Sequence, residues 1–503
     1  MRSDLLALLW SGVSLTAEAS PASANDACCK ELQKEFPSGY FEPSSDQYNA
    51  LTGSRWSKTA ILHPGCVVVP ASTKDVSCAV RILTKRECKF AVKSGGHNAN
   101  PGANSIDGGI SIDLKRLNAT KLAADRSYVT LETGITWGNA YHAFEAEKIA
   151  FPGGICEDVG VGGLAVGGGQ SLFQASKGWV VDNILRYEIV LADGTAINAT
   201  QSSHADLFKA LKGGNTNFGI VTNVDIAAFD FDVMWGGEVL LNLTGPETSR
   251  SDMLDRLSHA TVDFIANNEK DLDTGLQVVT SYLRNGAQVT DLALTNVANV
   301  SKPSSLDQFL SIPNKFLDTT RHTSLATIAH QTSLAVPKGF RYVTASVTIK
   351  NDYTTLRQIW DLSDATYLGL ADKNKVDWMV SFVPQPKIQE SYSASRGGNS
   401  LGLDHDSDEI VIWLLSRWDD VSLDSEVDQA RNRFVNKAKA IAKRNNAYAS
   451  FVYINYAGPS QDPLCGYGAD TVAFLRGVAT KYDPTGVFQR LMPGGFKLSS
   501  AQC

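Results

Sequence analysis

The chain has 503 residues, 43% of them hydrophobic and 20% charged, with a net charge of -7 at neutral pH. That length accommodates two or more domains with sizeable cores. The acidic balance argues against nucleic acid as the main partner, and no internal run is long and apolar enough to span a bilayer.

At the N-terminus Met1-Arg2 precedes the apolar run LLALLWSGVSLTA, followed by Ala17-Glu18-Ala19 and Ala22-Ser23-Ala24. This order predicts a secretory signal peptide over residues 1–24, cleaved near Ala19 or Ala24. Asn-x-Ser/Thr sequons at Asn118, Asn198, Asn242 and Asn299 fit the same route, to the cell exterior or to a vesicle or vacuole. Of eight cysteines, Cys28, Cys29, Cys66, Cys78 and Cys88 crowd into residues 28–88, while Cys156, Cys465 and Cys503 lie apart. The cluster predicts one or two local disulfides of undetermined pairing. No His/Cys spacing resembles a zinc site, and no metal is expected.

Residues 25–57 read as a polar, irregular lead-in. Cys66–Val69 is a predicted strand stopped by Pro70. Ser72 followed by Asp75 opens a helix with Val76, Ala79, Val80 and Leu83 on one face. Lys89–Val92 is the next strand. This β-α-β unit delivers the chain to Lys93-Ser94-Gly95-Gly96-His97-Asn98, a turn that lets backbone approach a ligand and sets an imidazole at its tip. Strands are predicted at Ile110–Leu114 and Tyr128–Glu132 and a helix at Trp137–Lys148.

Eight glycines then fall between Gly153 and Gly169: Gly153, Gly154, Gly160, Gly162, Gly163, Gly167, Gly168 and Gly169. Their neighbours Val159, Val161, Leu164, Val166, Leu172 and Phe173 want burial, unlike the polar filler of a linker. The stretch reads as a buried cradle whose main-chain N–H groups meet a phosphate or flat ring. Leu185–Leu191 and Thr195–Asn198 form a hairpin turned at Asp193-Gly194. A short helix, Asp206–Leu211, leads to Gly213–Thr222, a further glycine-rich approach.

After Phe229 glycine thins. Strands are predicted at Gly237–Leu241, Leu276–Tyr282, Gln288–Val297, Tyr342–Ile349, Trp378–Val383 and Glu409–Trp418. Helices are predicted at Arg250–Ala266, Thr354–Tyr367 and Ser425–Lys443. This pattern describes one antiparallel sheet covered by helices. The tail carries a predicted strand, Phe451–Tyr456, and the segment Lys481–Pro484.

Four separated motifs, in order, resemble the berberine-bridge-enzyme-like flavoprotein oxidases of the vanillyl-alcohol-oxidase, or PCMH, type: KSGGHN at 93–98, CEDVGVGG at 156–163 with GGG at 167–169, GGNTNFGIVT at 213–222, and YINYA at 453–457 with the KYDP tail. The resemblance covers roughly residues 58–498. It implies an α+β fold: a two-part FAD-binding domain over 58–230, a substrate domain over 231–448, and a segment 449–503 that returns to complete the flavin site.

It also implies FAD held at Lys93, Ser94, Gly95, Gly96 and Asn98, at Val159, Gly160, Gly162 and Gly163, at Gly167, Gly168 and Gly169, at Gly219, Ile220 and Val221, and at Asn455. His97 and Cys156 hold the places of the two covalent flavin ligands, and bicovalent attachment raises the potential. Val159 stands where valine accompanies oxidases rather than dehydrogenases, implying O2 as acceptor and H2O2 as product. Tyr456 stands at the general-base position. The chain departs from the family pattern at Lys177, a candidate activator of Tyr456, at Leu164, and at Trp413. Val411, Trp413 and Leu415 alternate onto one strand face; they are either sheet core or an apolar pocket wall.

The expected activity is hydride removal from an alcohol- or amine-type C–H of a small, apolar secondary metabolite, with oxidative cyclisation an option and a monomer expected. Its rivals are a carbohydrate oxidase and a non-redox cyclase or binding flavoprotein.

Overall fold

A computed structural model describes residues 21–403 and 406–503. The predicted signal segment up to residue 20 lies outside the described residues. The lead-in is not irregular: it carries the helices Pro21–Glu35 and Asp46–Thr52. Cys28, Leu32 and Phe36, four apart, are buried on one side of the first helix and its exit. The adjacent Cys28 and Cys29 bridge to Cys88 and Cys66, and Cys465 bridges to Cys503. Cys78 and Cys156 remain thiols. The polar composition of the lead-in concealed a helix that is held by two crosslinks rather than by a broad apolar face.

Among the described residues the strands form sheets of four, five and nine strands and one two-strand ladder. The first sheet contains β1 (Tyr40–Phe41), β2 (Cys66–Val68), β3 (Phe90–Lys93) and β4 (Ile110–Asp113), in the order β1-β2-β4-β3. β2 and β3 run parallel to β4, joined by the helix Thr73–Lys85. Ser72 caps that helix by accepting the Asp75 backbone N–H.

The second sheet contains β5 (Thr120–Leu122), β6 (Tyr128–Glu132), β8 (Ile184–Val190), β9 (Ala196–Thr200) and β10 (Ile220–Ala227), in the order β5-β6-β10-β8-β9. The small ladder pairs β7 (Ile149–Ala150) with β11 (Phe229–Asp230).

The third sheet is antiparallel, in the order β15-β12-β14-β13-β18-β19-β17-β20. Its strands are β12 (Met234–Asn242), β13 (Thr274–Tyr282), β14 (Gln288–Asn296), β15 (Lys315–Asp318), β17 (Arg341–Lys350), β18 (Asp377–Gln385), β19 (Glu409–Trp418) and β20 (Tyr448–Ala449), with β16 (Arg321–Thr323) also on β12. Ile410, Ile412 and Leu414 join a core shared with the helices Arg250–Ala266, Tyr353–Leu368 and Asp424–Arg444. Side-chain alternation then turns Trp413 and Leu415 to the opposite face, towards the glycine loops.

The tail differs from its expected strand. Phe451–Tyr453 has no ladder partner, and Ile454–Tyr456 turns, with the Tyr456 N–H donating to the Tyr453 carbonyl at 2.9 Å. Docking against the glycine stretch replaces sheet pairing there. The Gly169 and Gln170 backbone N–H groups donate to Tyr453 Oη at 3.0 and 3.1 Å. The helix Ala469–Tyr482, which the sequence pattern did not announce, seats Leu475 and Val478 in the same core as Trp137, Val161 and Trp179.

Candidate active site

A cavity of about 530 Å³ lies between the glycine loops and the free face of the nine-stranded sheet. Its loop wall depends on backbone proximity. A Cβ on Gly95 would sit 2.4 Å from the Gly160 nitrogen, and one on Gly160 would sit 2.1 Å from the Gly95 nitrogen. Ser94 Oγ ties the loops together, donating to the Thr133 carbonyl at 2.5 Å and accepting the Gly162 N–H at 3.2 Å. A Cβ on Gly163 would meet nothing within 4 Å. Lys93 is buried in an ion pair with Asp113 at 3.1 Å and anchors the start of the first loop. Asn98 Oδ1 closes that loop by accepting the Asn100 N–H at 2.8 Å.

His97 stacks on Trp56 at 4.3 Å, and Trp56 stacks on Tyr342 at 3.8 Å. Cys156 Sγ lies 3.9 Å from His97 Nε2, although the two residues are far apart in sequence. The His97 ring opens into the cavity rather than to bulk solvent, and the surrounding protein pushes its pKa down to about 4. Burial pushes the Cys156 thiol up to about 12. Both groups are therefore neutral at neutral pH.

Val159, Gly219, Ile220 and Val221 line the cavity with these groups. Gly167, Gly168 and Gly169 have a different task, outside the cavity lining: they seat the tail. A Cβ on Gly167 would overlap Asn455, whose Nδ2 donates to the Gly167 carbonyl at 3.2 Å. Gly168 and Gly169 take φ of 103° and 84°.

Tyr456 Oη donates to Gln170 Oε1 at 2.8 Å, and Trp413 stacks on the Tyr456 ring at 4.3 Å and 11°. Burial raises the Tyr456 pKa well above the phenol value, with Tyr453 and Cys156 adding to it. Lys177 is not brought to Tyr456. Its ammonium sits over the Phe229 ring, 4.2 Å from the centroid, and it does not line the cavity. It lies on a short helix, Gln174–Lys177, and the turn at Gly178 carries the chain away.

Trp413 and Leu415 do line the cavity, so their strand face is a pocket wall; Val411 on the same face lies in the core. Sequence reasoning missed Trp56, Gln170, Glu238 and Asp291, which also line it. Gln170 directly follows the Gly167–Gly169 run, a signal within reach. Asp291 is an acidic residue in mid-strand, which becomes informative only once both faces of the sheet are known to be covered.

Residues 64–200 match the family model described as FAD binding domain. Over 488 residues the chain is 34% identical to the FAD-dependent monooxygenase sdcF of Emericella nidulans, an alignment spanning 95% of this chain and 100% of that protein. Among solved structures it resembles the xylooligosaccharide oxidase of Myceliophthora thermophila C1, in complex with xylobiose, with a TM-score of 0.76 at 21% identity over 92% of this chain and 98% of that one. A variant of berberine bridge enzyme superposes with a TM-score of 0.72 at 16% identity, over 92% and 97% of the two chains. These last two likenesses concern the fold. The full-length match to the Emericella protein, with the FAD-binding-domain match, gives the conclusion that this chain belongs to that protein's family of FAD-dependent oxidoreductases, on a fold it shares with berberine bridge enzyme.

Proposed function

We propose that the protein is a secreted oxidase holding FAD through both His97 and Cys156. In this reading it removes hydride from a C–H beside oxygen or nitrogen in a small, largely apolar secondary metabolite, and dioxygen is reduced to H2O2. The observation that carries it is the meeting of His97 and Cys156 at 3.9 Å in the wall of the cavity that also holds Tyr456.

The residues present fit FAD. Two glycine loops touch backbone to backbone while Gly163 faces open space, and Cys156 is an unbridged thiol in the wall of the same cavity. Bound there, FAD supplies the hydride acceptor and the path of two electrons to dioxygen. Trp413 holds the Tyr456 ring by stacking, and Gln170 Oε1 orients its hydroxyl. Tyr456 is the group placed to take the proton of a substrate hydroxyl. Among the described residues no cation lowers its pKa, so the reactive phenolate forms only at high pH. Val159 keeps a small side chain in the wall where dioxygen would enter.

Leu240, Val279, Met379, Trp413 and Leu415 on the sheet wall favour an apolar substrate over a sugar. Three disulfides, and the exposed sequons at Asn118, Asn198 and Asn242, support an oxidising secretory compartment. No helix among the described residues is long and apolar enough to cross a membrane.

The test is acid denaturation, digestion and mass spectrometry, followed by assay of H2O2 during turnover. Flavin on the peptides of both His97 and Cys156, with H2O2 matching substrate consumed, supports the reading. Flavin on His97 alone removes the bicovalent assignment. An oxygen atom retained in product without H2O2 replaces the oxidase by the activity in the Emericella relative's name. A flavin that no alcohol, amine or sugar bleaches points instead to a cyclase or binding protein.

A further inference from the structure

Strand register gives the sheet wall of the cavity a scale. Leu240 on β12 stands opposite Asp291 on β14, Asp291 opposite Val279 on β13, Val279 opposite Ser381 on β18, and Ser381 opposite Trp413 on β19. All five line the cavity. From Asp291 to Trp413 the row crosses three strand spacings, about 14 Å of sheet. Trp413 is the residue stacked on Tyr456. The row therefore connects the expected site of oxidation to a carboxyl group well away from it.

That carboxyl group is unusual. Asp291 Oδ1 is shut off from solvent and has no hydrogen-bond partner. Glu238, opposite Ala293, lies diagonally across from Asp291 on the same face and also lines the cavity. Among the described residues neither carboxylate has an ion-pair partner. Of the other polar groups of this wall, Gln277 Nε2 donates to Ser381 Oγ at 2.7 Å, and Arg417 pairs with Asp377 at 2.7 Å. Burial, with Glu238 adding to it, pushes Asp291 up to about 8, and burial also raises Glu238. The pair thus lines the cavity sharing protons at neutral pH, with incomplete negative charge and no cation beside it.

At the Tyr456 end the unused groups are donors. Trp413 Nε1 and Gln170 Nε2 are buried without partners. The cavity therefore has Trp413 and Gln170 at one end, an apolar middle at Val279, and two carboxyl side chains at the other. We propose that the substrate carries a basic nitrogen, protonated in solution, which seats between Asp291 and Glu238 while its other end lies against Tyr456 and Trp413. This deepens the oxidase reading and rests on it for the identity of the reacting end. A bound ammonium gives Asp291 its missing partner and holds the pair in its charged form. Neutral molecules of the same shape leave the two carboxyl groups without a counter-charge.

The test is calorimetric titration of the full-length holoenzyme with n-octylamine and, separately, with 1-octanol at neutral pH, in buffers of different ionisation enthalpy. The amine is expected to bind about tenfold or more tightly than the alcohol, with proton release on binding. Asp291→Asn is expected to erase the preference while leaving octanol affinity and flavin content unchanged, and Glu238→Gln to reduce it. Equal affinity for the two probes, or a preference that survives Asp291→Asn, would overturn the proposal. Flavin content and H2O2 yield are scored separately, so a failure of the oxidase reading is distinguishable from a failure of the amine site.

Discussion

On one wall of the cavity Gly95 and Gly160 bring two backbones into contact; on the other, Asp291, Val279, Ser381 and Trp413 bring four side chains into a row. The first wall tolerates almost no substitution, because any Cβ overlaps main chain that is held by its own hydrogen bonds. The second is built on strands whose backbone accepts many residues, so its chemistry can change at little cost to the fold. The cradle is thus suited to a constant cofactor and the sheet to a variable substrate.

The sharpest way to break this contrast is at the glycines. Gly160→Ala is expected to destabilise the protein by at least about 3 kcal/mol and abolish flavin incorporation. Gly163→Ala, with open space before it, is expected to keep the thermal midpoint of the wild type. Equal midpoints for the two variants would show that the loops are not in contact.

Next in size is Tyr456→Phe, which keeps the stack on Trp413 but removes the hydroxyl. A fall in kcat of about 100-fold or more is expected, with unchanged flavin content. For a hydroxyl substrate, kcat/KM of the wild type is expected to rise with pH through the neutral range and beyond pH 10, because the phenol pKa is raised. A flat profile would remove Tyr456 from proton transfer.

On the sheet wall the effects are smaller, and at Asp291 of opposite sign. The folded protein keeps a proton on Asp291 that the unfolded chain gives up near pH 4. The aspartate therefore destabilises the fold progressively as pH rises towards about 8. Asp291→Asn is expected to be more stable than wild type, by about 2 kcal/mol at pH 8 and by almost nothing at pH 4, in paired denaturant titrations. Trp413→Leu, which removes one aromatic stack, is expected to cost about 1 kcal/mol and to loosen Tyr456, seen as a larger loss in kcat than in KM.

The same contrast explains what could be read beforehand. The cradle was legible because a backbone demand appears directly as residue identity: glycine where nothing larger fits, then His97 and Cys156 beside it. Strands and helices after Phe229 were legible from periodicity, and the bounds of Arg250–Ala266 and Glu409–Trp418 match the observed ones. The row from Asp291 to Trp413 was not legible, because it joins four strands and exists only once their register is known. Lys177 looked like a neighbour of Tyr456 because proximity was inferred from a motif; the short helix and the turn after it aim its ammonium at Phe229. Phe451–Tyr456 has strand-like composition, but its partner is a loop rather than a strand.

That docking of the tail has a consequence for biosynthesis. Tyr453 and Asn455 cover Gly167–Gly169, and Tyr456 completes the pocket from a part of the chain made long after His97 and Cys156. While the polypeptide is still emerging, both proposed attachment residues exist but the wall that confines them does not. On the proposed attachment, cofactor loading is expected after synthesis of the tail, in whatever compartment the chain has reached by then, and that compartment's supply of FAD would limit how much enzyme matures.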